Sequence, residues 1–96
     1  MFNYANHIKW IERRVASLGS SLSSQEMQKA EQGIPSIRVR LETAIHMGEL
    51  VVNNEGKGSL IVAEIESGRY LIDKHDVLLN EDESSCYDEF FRYFSA

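Results

Sequence analysis

Hydrophobic and polar positions alternate most regularly between Ile34 and Tyr70. Ile37, Val39 and Leu41 are interleaved with Arg38, Arg40 and Glu42, the period of two expected of a strand with one buried face. Leu50, Val51 and Val52 form a second run, closed by Asn53-Asn54-Glu55-Gly56, and Leu60, Ile61, Val62 and Ile65 a third, closed by Glu66-Ser67-Gly68. The third run is apolar on both faces, with Leu60 and Val62 on one side and Ile61, Ala63 and Ile65 on the other. That predicts a central strand, or one whose outer face is covered. Tyr70, Leu71 and Ile72 predict a fourth strand, and Val77 to Leu79 a short fifth. Connections this short favour antiparallel neighbours, since a parallel crossover needs a dozen or more residues. Gly48 is read as a bulge or bend.

Helical spacing flanks this region on both sides. Tyr4, Ile8, Ile11, Val15 and Leu18 recur at steps of three and four, which places them on one stripe of a first helix. Asn3 is a suitable N-cap and Gly19 a suitable terminating residue. Trp10 lies beside the stripe, where it either widens the buried face or serves as an exposed interface anchor. Tyr87, Phe90, Phe91 and Phe94 have the same periodicity near the other end of the chain, and predict a second helix docked on the sheet. Ser84 or Ser85 would cap that helix, and Asp82, Glu83 and Asp88 suit its first turns. Residues 19–33 are ambiguous. Gln25 to Gln32 are good helix formers between a serine cap and Gly33, but Leu22, Met27 and Ala30 alone would hold such a helix weakly. A polar edge strand at Ser20–Met27, paired with Ile37–Glu42, is the rival, with Lys29–Gly33 expected to be mobile. The fold class read from this pattern is α+β: an antiparallel meander of four to five strands packed with an N-terminal and a C-terminal α-helix.

At 96 residues the chain is expected to form one domain, residues 1–96. An apolar fraction of 43% and a charged fraction of 26% are ordinary for a folded protein. No apolar run approaches the ~18 residues of a membrane span, and MFNYANHIKWIERR lacks the pattern of a secretory signal. The single cysteine, Cys86, gives no disulfide framework. A cytoplasmic location is the expectation. The net charge of −5 is unevenly spread: residues 69–96 carry seven acidic and three basic residues, whereas residues 1–33 carry three and four. An acidic balance disfavours direct nucleic-acid binding, which relies on Lys and Arg. It suits a basic protein partner, although mild acidity also serves solubility alone.

Catalytic and metal-binding arrangements are weakly represented. Gly56-Lys57-Gly58-Ser59 lacks the upstream glycine and following helix of a phosphate loop, and reads as a hairpin turn. Asp73-Lys74-His75-Asp76 places two carboxylates and an imidazole together, but a metal needs three or four convergent ligands; a solvated turn is the better reading. His7 and His46 have no carboxylate or cysteine at ligand spacing and read as surface or partly buried residues. Cys86 has no nucleophile setting and reads as a buried, inert thiol. No catalytic, cofactor-binding or metal-binding residue is assigned. Glu64, Glu66, Asp73, Asp76, Glu81, Asp82 and Glu83 are predicted to cluster at one end of the sheet and the start of the last helix. There they form either a solvated rim or a patch that meets Lys and Arg on another protein.

The order of these features carries a resemblance. A helix with Trp10 and a polar segment precede Pro35-Ser36-Ile37-Arg38-Val39; then come Gly48-Glu49-Leu50-Val51-Val52, a glycine turn at Gly56, Ser59-Leu60-Ile61-Val62, Glu66-Ser67-Gly68 and an aromatic helix. The chain resembles the TriTu family of bacterial immunity proteins, which belong to contact-dependent growth inhibition systems. The resemblance implies a cytosolic, non-catalytic protein that neutralises one cognate toxin domain, a tRNA-cleaving nuclease. It also implies a ternary arrangement in which elongation factor Tu engages the toxin. The acidic residues above would then bind the toxin by mimicking phosphate in its basic groove and occluding it. Two other readings stand beside it: an adaptor, homodimeric through a sheet edge or Trp10, and a small enzyme using His75, Asp76 or Cys86.

Overall fold

A computed structural model describes residues 2–79 and 87–95. Helix α1 (Tyr4–Leu18) is followed by a 3-10 turn (Gly19–Ser21) and five strands: β1 (Ser24–Ala30), β2 (Ser36–Glu42), β3 (His46–Asn53), β4 (Lys57–Glu64) and β5 (Tyr70–Leu78). A short helix α2 (Asp88–Phe91) runs into a second 3-10 turn, Arg92–Phe94. The strands form one antiparallel sheet in the order β1-β2-β3-β4-β5, each paired with its sequence neighbour. This is the expected α+β meander, with the polar segment supplying the fifth strand.

The core lies on one face of the sheet. Ile37, Val39 and Leu41 of β2, Leu50 and Val52 of β3, Leu60 and Val62 of β4 and Ile72 of β5 are buried there. They meet Ile11 and Val15 of α1 and Tyr87, Phe90, Phe91 and Phe94 of the C-terminal segment. All four predicted aromatics are core residues. Asn3 caps α1 as expected, its side chain accepting a hydrogen bond from the Asn6 amide at 3.1 Å. Trp10 is half-buried against the core. The cover is tied to the sheet and to itself by ion pairs, Lys29–Glu12 at 3.8 Å, Lys74–Glu89 at 3.0 Å and Arg14–Asp88 at 2.5 Å. The Ser84 or Ser85 cap, Asp82, Glu83 and Cys86 lie outside the described residues.

Several expectations are corrected. Of the two readings left open for residues 19–33, the polar edge strand paired with β2 is the one observed, over residues 24–30, with Gln25 opposite Leu41 and Met27 opposite Val39. Its bounds lie beyond the expected Ser20–Met27, and Lys29 and Ala30 belong to its ladder. Pairing with β2 satisfies a row of backbone groups that an isolated, poorly buried helix would leave at the sheet edge. Asp73-Lys74-His75-Asp76 is not a turn between two strands. Residues 70–78 are one strand whose register shifts twice against β4, with Asp76 at φ 51°. The extra residues are absorbed as bulges, and a short polar side chain tolerates the left-handed backbone. Gly48 marks no bend. It sits in an unbroken ladder between Leu41 and Val62, and a Cβ there would lie 2.5 Å from Cζ of Phe94. It is the hollow that receives the aromatic segment. His7, finally, is fully buried.

Candidate functional site

His7 is buried because it continues the inward line of α1: His7, Ile11 and Val15 follow one another at four-residue steps and are the buried residues of the helix. Its Nδ1 lies 2.6 Å from the Tyr87 hydroxyl, and its ring is flanked by Phe2 at 4.2 Å and Trp10 at 4.6 Å between centroids. The hydrogen bond fastens the first helix to the aromatic segment. Enclosed by rings, this imidazole is structural and offers no access to a substrate.

No helix among the described residues packs on the opposite face of the sheet, and the strand register orders its side chains into rows. One row reads Glu26, Arg40, Glu49, Ile61 and Asp73 across β1 to β5. Arg40 Nε donates to Glu49 Oε2 at 2.8 Å, and Arg38 Nε lies 3.9 Å from the other Glu49 oxygen. The hydrogen bond and then the charge of Glu49 raise the already high pKa of Arg40. The adjacent row reads Ser24, Glu42, Met47, Ala63 and Tyr70. The two rows line a shallow concavity of about 420 Å³.

That second row runs from polar to apolar toward β5. Met47 is 51% and Tyr70 62% exposed, and the turns beyond them add Ile45 at 60% and Ile65 at 40%. The two turns abut, with the Ile65 amide donating to the Ile45 carbonyl at 2.9 Å. Ile61 and Ala63 are half-buried between them. Alternation alone marks Met47, Ile61 and Ala63 as outward-facing. Ile65 is expected from the sequence on the face of Ile61 and Ala63; what the sequence reading missed is that Ile45, Met47 and Tyr70 come to the same end of that face.

The predicted acidic residues are distributed along β4 and β5. Glu64 closes β4 opposite His46 and Glu66 lies in the β4–β5 turn, from which Ser67 Oγ donates to Glu64 Oε1 at 2.7 Å. Asp73 stands opposite Ile61 midway along the edge strand β5, and its carboxylate is 2.7 Å from His75 Nε2. Asp76 lies farther along β5 at its bulge, about 20 Å from Tyr70 at ~3.3 Å per residue. Glu64 and Glu66 therefore share one end of the sheet, Asp73 lies midway along its edge, and Asp76 stands apart from them. Glu81, Asp82 and Glu83 lie outside the described residues. Among the described residues no group of three or more His, Cys, Asp or Glu is gathered as a metal ion would require. None of the described helices is long and apolar enough to cross a membrane.

A family model described as "Immunity protein TriTu" matches residues 5–94, from α1 to the aromatic segment. No curated protein matches the chain, and no solved structure does.

Proposed function

The chain belongs to the TriTu family of immunity proteins, and from that premise we propose that it neutralises a cognate contact-dependent growth inhibition toxin by binding it one to one in the cytoplasm. The family match over residues 5–94 carries this reading. The toxin is a tRNA-cleaving nuclease, whose grip on tRNA requires a basic groove. Stoichiometric occlusion of that groove stops cleavage without any catalytic step by the immunity protein. The net charge of −5 supports it, because an acidic protein is drawn to such a groove. Glu64, Glu66, Asp73 and Asp76 are the described carboxylates proposed to contact the toxin, together with Glu81, Asp82 and Glu83. Elongation factor Tu joins in a ternary complex through the toxin.

The test is to read whether the frame immediately upstream encodes a large secreted protein with a variable C-terminal domain, and to co-express that domain with this chain. A stable one-to-one complex, loss of tRNA cleavage and rescued growth are the expected results. A toxin that this chain neither binds nor silences would overturn the proposal. Charge reversal of Glu64, Glu66, Asp73 and Asp76 together should weaken the complex at least tenfold, about 1.4 kcal/mol or more. Unchanged affinity would remove the acidic contact from the mechanism.

A further inference from the structure

Two features of the face that no described helix covers call for a partner. Four of the six exposed large hydrophobic residues among those described, Ile45, Met47, Ile65 and Tyr70, gather at one end of it. They adjoin Ile61 and Ala63, while the other two, Ile34 and Leu78, lie elsewhere in the chain. Met47, Ala63 and Tyr70 stand side by side on three adjacent strands, a strip about 10 Å wide at ~4.8 Å per strand. A contiguous apolar patch rimmed by polar residues is the signature of an interaction site, unlike scattered surface hydrophobics. Its composition, a tyrosine and a methionine at the centre and charges around them, matches the anchor-and-rim organisation of protein interfaces.

The rim specifies the occupant. Glu42 flanks Met47 in the same row, Glu66 lies in the turn beside Ile65, and Asp73 stands next to Ile61. Arg38 and Arg40 share the Glu49 carboxylate, and Arg69 is the basic residue of the β4–β5 turn. The surroundings of the patch are thus predominantly acidic. A second copy of this chain docked through the same surface about a two-fold axis would set acidic rim against acidic rim, which is repulsive. A cationic protein surface offering an apolar side chain is complementary on both counts.

We infer that the toxin docks on the face of the sheet that no described helix covers, with Met47, Tyr70 and the neighbouring isoleucines as its apolar anchor and Glu42, Glu66 and Asp73 as the charged rim. This rests on the immunity reading above and deepens it by naming the face and anchoring residues. Here the carboxylates set encounter and orientation, whereas the apolar strip holds the complex together. The concavity in front of Glu49 and Ile61 receives a protruding side chain of the toxin.

The experiment measures association and dissociation of the upstream-encoded toxin domain with the wild-type chain, Tyr70→Ala, the Met47→Asp/Tyr70→Ala pair, and Arg13→Ala on the exposed side of α1. Circular dichroism and melting temperature confirm that each variant is folded. Tyr70→Ala should weaken binding about tenfold and the pair about a hundredfold or more, mostly through faster dissociation, with Arg13→Ala within about twofold of wild type. A folded double variant that binds and protects as well as wild type overturns the docking face and leaves immunity standing. A wild-type chain that fails to bind or silence the toxin overturns both. A wild-type chain that is dimeric alone, and monomeric as Tyr70→Ala, identifies the face as a self-interface and overturns the inference.

Discussion

Gly48 has an ordinary strand conformation, so its constraint is spatial: Phe94 Cζ lies 2.5 Å and Phe90 Cε1 3.0 Å from the position of a Cβ. Both rings are fully buried and have little room to retreat. Gly48→Ala is therefore expected to lower the unfolding free energy by about 1–3 kcal/mol, as other overpacked cores do, read as a lower urea midpoint with unchanged slope. The His7–Tyr87 hydrogen bond gives a second prediction at this scale. Tyr87→Phe keeps the ring and removes the hydroxyl, leaving a buried imidazole nitrogen short of one partner, and should cost about 1–3 kcal/mol in the same measurement. Neither residue declares its role in the sequence. Gly48 resembles any strand glycine until the aromatic segment is placed over it. The burial of His7 was available from its four-residue step to Ile11, but a histidine in a polar stretch is more readily assigned to solvent.

At the scale of elements, the strength of each sequence signal followed from how much local pattern it contained. α1 and β2 to β4 were readable because caps, turns and hydrophobic period agreed for each of them. Asn3→Ala should remove the cap of α1 at a cost of about 1 kcal/mol, measurable as a lower melting temperature. β1 was not decidable from its own residues, since its exposure is nearly uniform along its length and gives no period. Its identity is fixed by β2, whose edge would otherwise stand open. β5 was broken in two by its polar centre, because a bulge shifts the alternation on which a strand is recognised. The two edges of the sheet differ accordingly: β5 is irregular, a common protection against edge-to-edge pairing, whereas β1 is a regular ladder that relies on polarity. The amides of β1 facing away from β2 should exchange with solvent far faster than those of β3, which are paired on both sides. Of the binding surface, the acidic positions were readable from composition, but the apolar anchor depended on two turns meeting in space.

For the whole molecule, charge and shape divide the labour of binding. The net charge of −5 acts over distance and is screened beyond about 8 Å at physiological ionic strength. Raising the salt from low to high should therefore slow association with the toxin several-fold while leaving dissociation nearly constant, and stopped-flow mixing would separate the two rates. The pairing of His7 with Tyr87, residues 80 apart in sequence, has a consequence of a different kind. Every strand pairs with the strand next to it in the chain, so the sheet can grow hairpin by hairpin with little loop entropy to overcome. The contact between α1 and the aromatic segment spans the entire meander, and is expected to form after the rate-limiting step. Tyr87→Phe should then steepen the loss of kinetic lifetime, with unfolding accelerated and refolding almost untouched, a φ-value near zero. The clasp between the two ends of the meander would set how long a folded molecule survives and have little bearing on how quickly it forms.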